Sequence, residues 1–299
     1  MKTFASFLLC LLAAALLKGQ TNFVFSNPAA ENVLLGQYDP VQYGSSNPVD
    51  DPLTISQSLN YYVSADSLHS YLDALSTFKT RNSGSDTVSS ATGIGAARQW
   101  LHKKFQHAGI KNENRLQTSF FQFDQNICGV HRHKNVVAVL PGTDTSLKEI
   151  ILIEAHYDSR CAGLCDTACT AEGMEDNGSG TALVLELARV MSRFSFSRSV
   201  VFMATTAEEQ GLFGAGAFAT WAQQNGIKIR AVLNNDVIGG VICGNTSSQP
   251  SCPGAGQIDS THMRLFSYGG FNSPHKQLAR FVKLQYEEMV KPMATVPMT

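Results

Sequence analysis

Apolar positions along the chain change period several times, and each change marks an element. From Ser64, a residue suited to cap a helix, Leu68, Tyr71, Leu72 and Leu75 fall on one face and predict a helix running to about Phe78. Ile94, Ala97, Trp100, Leu101 and Phe105 recur at the same spacing and predict a second helix over 91–107, with Gly109 as its stop. Strand-like runs follow at Leu116–Phe123, Asn135–Leu140 and Ile150–Ala155, and Pro141-Gly142 marks the turn between the last two. The run Ile-Ile-Leu-Ile-Glu-Ala does not alternate, which is the pattern of a short strand buried on both faces.

Beyond it the chain alternates between the two periods. Thr181–Met191 reads as a buried helix, Ser199–Thr205 as a strand, Phe213–Gln224 as a helix and Ile229–Leu233 as a strand. Strands alternating with helices predict an α/β fold, a mostly parallel central sheet flanked by helices. The tail adds a strand over Met263–Ser267 and a helix from about His275 to Val290. Residues 21–60 are rich in Asn, Pro, Ser and Gly and show little period, so they read as an arm or linker. His131 and His133 are placed in an exposed loop. The expected organisation is an export segment over 1–20, the arm over 21–60 and one domain over 61–299.

Composition changes this picture in three places. A hydrophobic fraction of 43% with 16% charged residues is ordinary for a globular protein and excludes wholesale disorder. Lys2, the apolar run from Phe4 to Leu17 and Lys18-Gly19 resemble a signal peptide; an uncleaved N-terminal anchor is the alternative. Removing that segment takes two lysines from 23 basic residues against 24 acids, so the balance becomes 21 − 24 = −3, without the basic footprint of a nucleic-acid binder. Without Cys10, six of the seven cysteines remain, an even number suited to an oxidising compartment. Cys243 and Cys252 flank a loop and predict a local disulfide; Cys128, Cys161, Cys165 and Cys169 supply two more bridges or, alternatively, a structural zinc site.

The chemistry gathers where strands end. The strand over 150–155 delivers His156, followed by Tyr157-Asp158; Asp176 precedes Asn177-Gly178-Ser179-Gly180 and a helix. The strand over 199–205 ends in Thr206-Ala207-Glu208-Glu209-Gln210-Gly211, and the next ends in Asn234-Asn235-Asp236. Each has an ordinary explanation alone, as a strand-end hydrogen bond, a solvated turn or a helix cap. Together they place an imidazole and several carboxylates at the carboxyl ends of one sheet, where open α/β folds bind ligands, and that donor set suits zinc.

The motifs His-x-Asp, Asp-Asn-Gly-Ser-Gly, Ala-Glu-Glu-Gln-Gly and Asn-Asp-x-Ile-Gly, in that order, resemble the secreted co-catalytic dizinc aminopeptidases of peptidase clan MH, relatives of glutaminyl cyclases and plasma glutamate carboxypeptidase. The resemblance spans roughly 60–290. It implies a zinc-aminopeptidase-like α/β/α sandwich, two zinc ions and a peptide substrate. It implies that His156 and Asp236 bind one zinc, that Asp176 bridges both, and that Glu209 binds the second. Asp158 would orient the His156 ring, Glu208 would be the general base, and the Asp176–Asn177 peptide would be cis. The chain departs from the pattern in lacking the late Asp-His segment, which suggests that the C-terminal part is missing; His262 and His275 are the remaining candidates for the last ligand.

The same scaffold leaves a glutaminyl cyclase, a carboxypeptidase or a non-catalytic ectodomain as alternatives. No G-x-S-x-G elbow or H-E-x-x-H helix occurs, and the Gly93/Gly95 and Gly214/Gly216 pairs do not complete a dinucleotide fingerprint.

Overall fold

The computed structural model of the chain describes residues 20–243, 254–260, 262–289 and 294–298. All but Gln20 of the predicted export segment lies outside the described residues, as does Cys252. A six-stranded sheet is formed by β1 (Thr21–Phe25), β2 (Gln117–Ile127), β3 (Val130–Leu140), β4 (Glu149–His156), β5 (Val200–Thr205) and β6 (Lys228–Asn234), in the order β1-β2-β3-β5-β4-β6. β4 runs parallel to both neighbours, pairing His156 with Thr205 and Glu154 with Asn234. The other pairings, β1–β2, β2–β3 and β3–β5, are antiparallel. The sheet is therefore mixed rather than mostly parallel: parallel pairing is confined to the strands that helices connect, as crossover geometry requires.

Helices α4 (Gly93–Lys111) and α5 (Gly180–Met191) cover one face, where Leu101, Phe105 and Ala188 meet Ile153, Ala155 and Phe202. On the other face α1 (Pro28–Leu34) and α6 (Phe213–Gln224) set Val33, Phe218 and Trp221 against Phe121, Ile150, Leu152 and Val201. β4 thus feeds both cores, which is why its apolar run does not alternate. Each fully buried Leu, Ile or Phe of this kind contributes about 2 kcal/mol, so the β4 register is held firmly.

The arm over 21–60 is more ordered than its composition suggests. It supplies β1, α1, a short helical turn over Pro40–Tyr43 and α2 (Pro52–Tyr62). Asn27, Asp39 and Asp51 each cap one of these pieces with a side-chain oxygen, and a proline follows each cap. These polar residues are helix punctuation. Helix α3 (Ala65–Ser76) begins as expected, with Ser64 Oγ accepting from the Ser67 amide.

Gly109 does not stop α4, which continues to Lys111; a Cβ on Gly109 would lie 2.9 Å from the Leu116 carbonyl oxygen, so glycine there admits the returning chain. β2 and β3 are joined at Cys128-Gly129 into a hairpin that takes in His131 and His133, contrary to the expected loop. His133 is buried, with its Nε2 3.0 Å from the Val130 carbonyl oxygen. The tail strand, β7 (His262–Phe266), does not join the main sheet; it pairs in parallel with β8 (Ala294–Met298), and α7 (Pro274–Met289) lies between them in sequence. Two disulfides, Cys128–Cys165 and Cys161–Cys169, take the four cysteines that a structural zinc would have needed. Cys243 is also disulfide-bonded.

One residue of β4 breaks its apolar pattern. Glu154 Oε2 finds no hydrogen-bond partner among the described residues, and burial pushes its carboxyl up to about 7. A pKa raised on folding adds stability that is full below the unfolded value and lost as pH rises through the folded one. Glu154→Gln is therefore expected to match wild-type stability near pH 4 and to exceed it by about 3 kcal/mol near pH 8, read from urea unfolding at the two pH values.

Candidate metal centre

The parallel register of β5, β4 and β6 brings three chain segments to one end of the sheet. His156 is the last residue of β4 and is 2% exposed. The turn Met174–Ser179 carries Asp176 toward it, Glu208 and Glu209 follow β5, and Asp236 follows β6. His156 Nε2 lies 3.1 Å from Asp176 Oδ1, 3.5 Å from Asp236 Oδ1 and 3.8 Å from Glu208 Oε2.

Local packing explains the convergence. The Asp176–Asn177 peptide is cis. Asn177 then ties the turn to the end of β6, donating from Nδ2 to the Asn235 carbonyl (2.9 Å) and accepting from the Gly180 amide at Oδ1 (2.9 Å). A Cβ on Gly180 would fall 2.0 Å from the Asn235 oxygen, so only glycine lets α5 approach that strand end. Thr181 Oγ1 donates to the His156 carbonyl and locks the start of α5 to β4.

Asp158 is fully buried beneath the cluster. Its Oδ1 accepts from the Glu208 amide and its Oδ2 from the Glu209 amide, both at 3.2 Å. Its carboxylate is 3.5 Å from His156 Nδ1, and its own carbonyl is nearer, at 3.2 Å. Asp158 thus fixes the Glu-Glu turn as much as the imidazole. The spacing His-x-Asp suggested only the second role, because the amides it holds lie about fifty residues away.

Arg81 escaped the sequence reading altogether. It is 1% exposed, and its guanidinium donates to the carbonyls of Tyr157, Leu75 and Gly173 at 2.7, 3.1 and 2.9 Å, and to that of Glu172. It pins the segment leading into Asp176 to the one leaving β4. Burial pulls its pKa down to about 10, while Asp158 and Asp176 pull the other way. An arginine in a polar loop carries no local sign of such a role.

The field favours positive charge. Burial alone lowers the His156 pKa, but hydrogen bonds to Asp158, Asp176 and Asp236 outweigh it and push the ring up to about 12. Burial raises Glu208; His156 pulls it down, and Asp158, Asp236 and Glu209 add to the rise. His156, Asp176 and Asp236 each offer one ligand atom, all within 4.8 Å of one another. One imidazole and two carboxylates so placed fit a single divalent cation such as zinc. A second cation does not fit the arrangement as it stands: Glu209 is engaged by Arg160 through Nε. Neither remaining histidine joins the cluster, because His262 pairs with Asp259 (2.9 Å) and His275 is exposed at the start of α7.

Residues 135–247 match Peptidase family M28. The chain is 32% identical over 240 residues to a probable zinc metalloprotease of Pyrenophora teres f. teres, covering 76% of this chain and 51% of the relative. The chain therefore spans about half the length of that relative. Among solved structures it is similar to the LapA aminopeptidase of Legionella pneumophila, with a TM-score of 0.60 and 19% identity over 82% of this chain and 57% of the other. It is also similar to a Bacteroides thetaiotaomicron glutaminyl cyclase, with a TM-score of 0.54 and 15% identity over 79% and 78%. At these identities the two structures show a shared fold.

Asp158→Asn keeps the shape but turns one amide acceptor into a donor facing an N–H. It is expected to cost about 2 kcal/mol, read by urea unfolding, and to weaken zinc binding by about ten-fold or more, read by equilibrium dialysis.

Proposed function

On the premise that this chain carries a peptidase family M28 domain over residues 135–247, we propose that it is a zinc-dependent peptidase that removes residues from the amino ends of peptides. The observation that carries this reading is the convergence of His156, Asp176 and Asp236 beside the Glu208 carboxylate. These three residues would hold the zinc, which would make water nucleophilic at neutral pH and polarise the scissile carbonyl.

The remaining roles belong to the chain. Glu208, held by its amide on Asp158, has Oε2 3.8 Å from His156 Nε2, and there it would take a proton from the attacking water and deliver it to the leaving amine. Its raised pKa suits both halves of that transfer. The carboxylates of Asp176 and Asp236 are 54% and 35% exposed, so the site opens to solvent and a peptide end can reach it. Two disulfides support an oxidising, extracytoplasmic location. No helix among the described residues is long and apolar enough to cross a membrane.

A second reading on the same site, cyclisation of N-terminal glutamine at one zinc, is favoured by the engagement of Glu209 with Arg160. Incubation with a glutaminyl peptide separates the two: the peptidase releases free glutamine, whereas the cyclase releases ammonia and leaves the chain intact.

Glu208→Gln is expected to retain zinc and to lower kcat by about a hundred-fold or more. In the wild type, activity should fall as pH drops through the raised Glu208 pKa, because the base must be ionised. Near wild-type turnover of the variant, with the acid limb unchanged, would remove Glu208 from the base role.

A further inference from the structure

Helix α4 contains no acid. Over Gly93–Lys111 it carries Arg98, Lys103, Lys104 and Lys111, with His102 and His107 between them. The chain as a whole holds 24 acids against 23 lysines and arginines, so this helix is a local excess of positive charge on a nearly neutral protein. Lys103, His107 and Lys111 are exposed, and Lys104 is half-buried beside them. Among the described residues, the ion pairs that lysines and arginines form with acids engage other side chains: Arg132, Arg160, Arg189, Arg198, Arg264 and Lys283. The cations of α4 are left to solvent.

The helix also borders a recess. A cavity of about 440 Å³ opens between α3, α4 and α5, lined by Ser67 and Ser70 from α3, Lys104, His107 and Lys111 from α4, and Leu185 from α5. That volume is within the range of small-ligand sites. Asp66 is the one carboxylate among its lining residues, in the first turn of α3, where the helix dipole already favours negative charge. Arg189 lines it too, but its guanidinium is spent on buried Glu186, with Nε 2.8 Å from Oε2. Lys104 Nζ is held over two rings, 5.4 Å from the centroid of Tyr71 and 5.3 Å from that of Trp100. On the other flank of α4 the His102 ring stacks on Phe120 at 4.3 Å, and Lys134 Nζ lies 5.2 Å from the same ring, which carries the basic surface on to β3. Burial pulls the Lys134 pKa down, and Arg98 and Arg132 pull it the same way.

We propose that the exposed face of α4 and the recess beside it bind an acidic polysaccharide. Arg98 to Lys111 spans about 20 Å along the helix axis, so successive anionic groups of an extended polymer meet successive cations. The recess takes a sugar ring, with its hydroxyls toward Ser67 and Ser70. Single-stranded nucleic acid binds by stacking its bases on open aromatic faces, whereas Trp100, Tyr71 and Phe120 are covered by Lys104, His102 and Lys134. A membrane surface is flat and leaves a recess between helices empty. The two disulfides support a location outside the cytoplasm, where such polymers occur. Zinc plays no part in this binding, so it stands apart from the peptidase reading.

The test measures binding of a heparin hexasaccharide and of an oligogalacturonate to the 299-residue chain, by calorimetry and by tryptophan emission. Trp100 lies beneath Lys104, while the other tryptophan, Trp221, is buried on the opposite face of the sheet. The wild type should bind at least one of the two sugars, more weakly as salt rises, with a change in emission. The triple variant Lys103→Gln, Lys104→Gln, Lys111→Gln should bind about ten-fold or more weakly and lose the ligand-induced change. Arginine at the same three positions should keep both, which separates lost charge from lost folding. Lys276→Gln, Arg280→Gln, Lys283→Gln on α7 removes as much charge and should change nothing. Four results overturn the proposal: no binding of either sugar, unchanged affinity in the α4 glutamine variant, an equal loss in the α7 variant, or tighter binding of single-stranded DNA or anionic vesicles than of either sugar.

Discussion

The candidate site depends on one constraint: β4 lies between β5 and β6 in parallel register, so His156, the Glu208–Glu209 turn and Asp236 emerge at the same height. That register is held by side chains on both faces, Ile153 and Ala155 toward α4 and α5, Ile150 and Leu152 toward α6. A slip of one residue would exchange these two sets and turn His156 away from the carboxylates. Two ordinary hydrophobic cores thereby fix the distances of a polar site, reaching it through Ala155 and Tyr157 on one face and Ala207 on the other.

Bringing so many acids together is costly, and the chain offsets the cost with positive groups at three depths. Arg81 is buried below the turn that carries Asp176, the His156 ring lies at the bottom of the bowl, and Arg160 closes its side at Glu209. Asp158 balances these from beneath by accepting two amides. What remains open is the gap between His156, Asp176 and Asp236, whose ligand atoms lie within 4.8 Å of one another.

Much of this was legible in the sequence, for physical reasons. A strand buried on both faces announces itself by an unbroken apolar run, and a polar residue straight after it marks a strand end, so His156 and the acids at the ends of β5 and β6 could be placed without coordinates. Capping chemistry located α3 from Ser64. The arm over 21–60 was misread because Asn27, Asp39 and Asp51 cap short helices there, and short capped pieces carry too few residues to show a period. Gly109 was misread because a glycine demanded by close packing looks the same in sequence as one that ends a helix. The roles of Arg81 and Arg160, and the hold of Asp158 on the Glu208 and Glu209 amides, were hidden because their partners are distant in the chain or reached through a loop, and single-sequence spacing carries no information about such contacts.

The account stands on the claim that His156, Asp176 and Asp236 form one cation seat. The most direct measurement is anomalous scattering at the zinc absorption edge from crystals of the zinc-loaded protein. The account predicts a strong peak bounded by His156 Nε2, Asp176 and Asp236. A zinc peak elsewhere, at His262 or His275, with none between these three side chains, would contradict it.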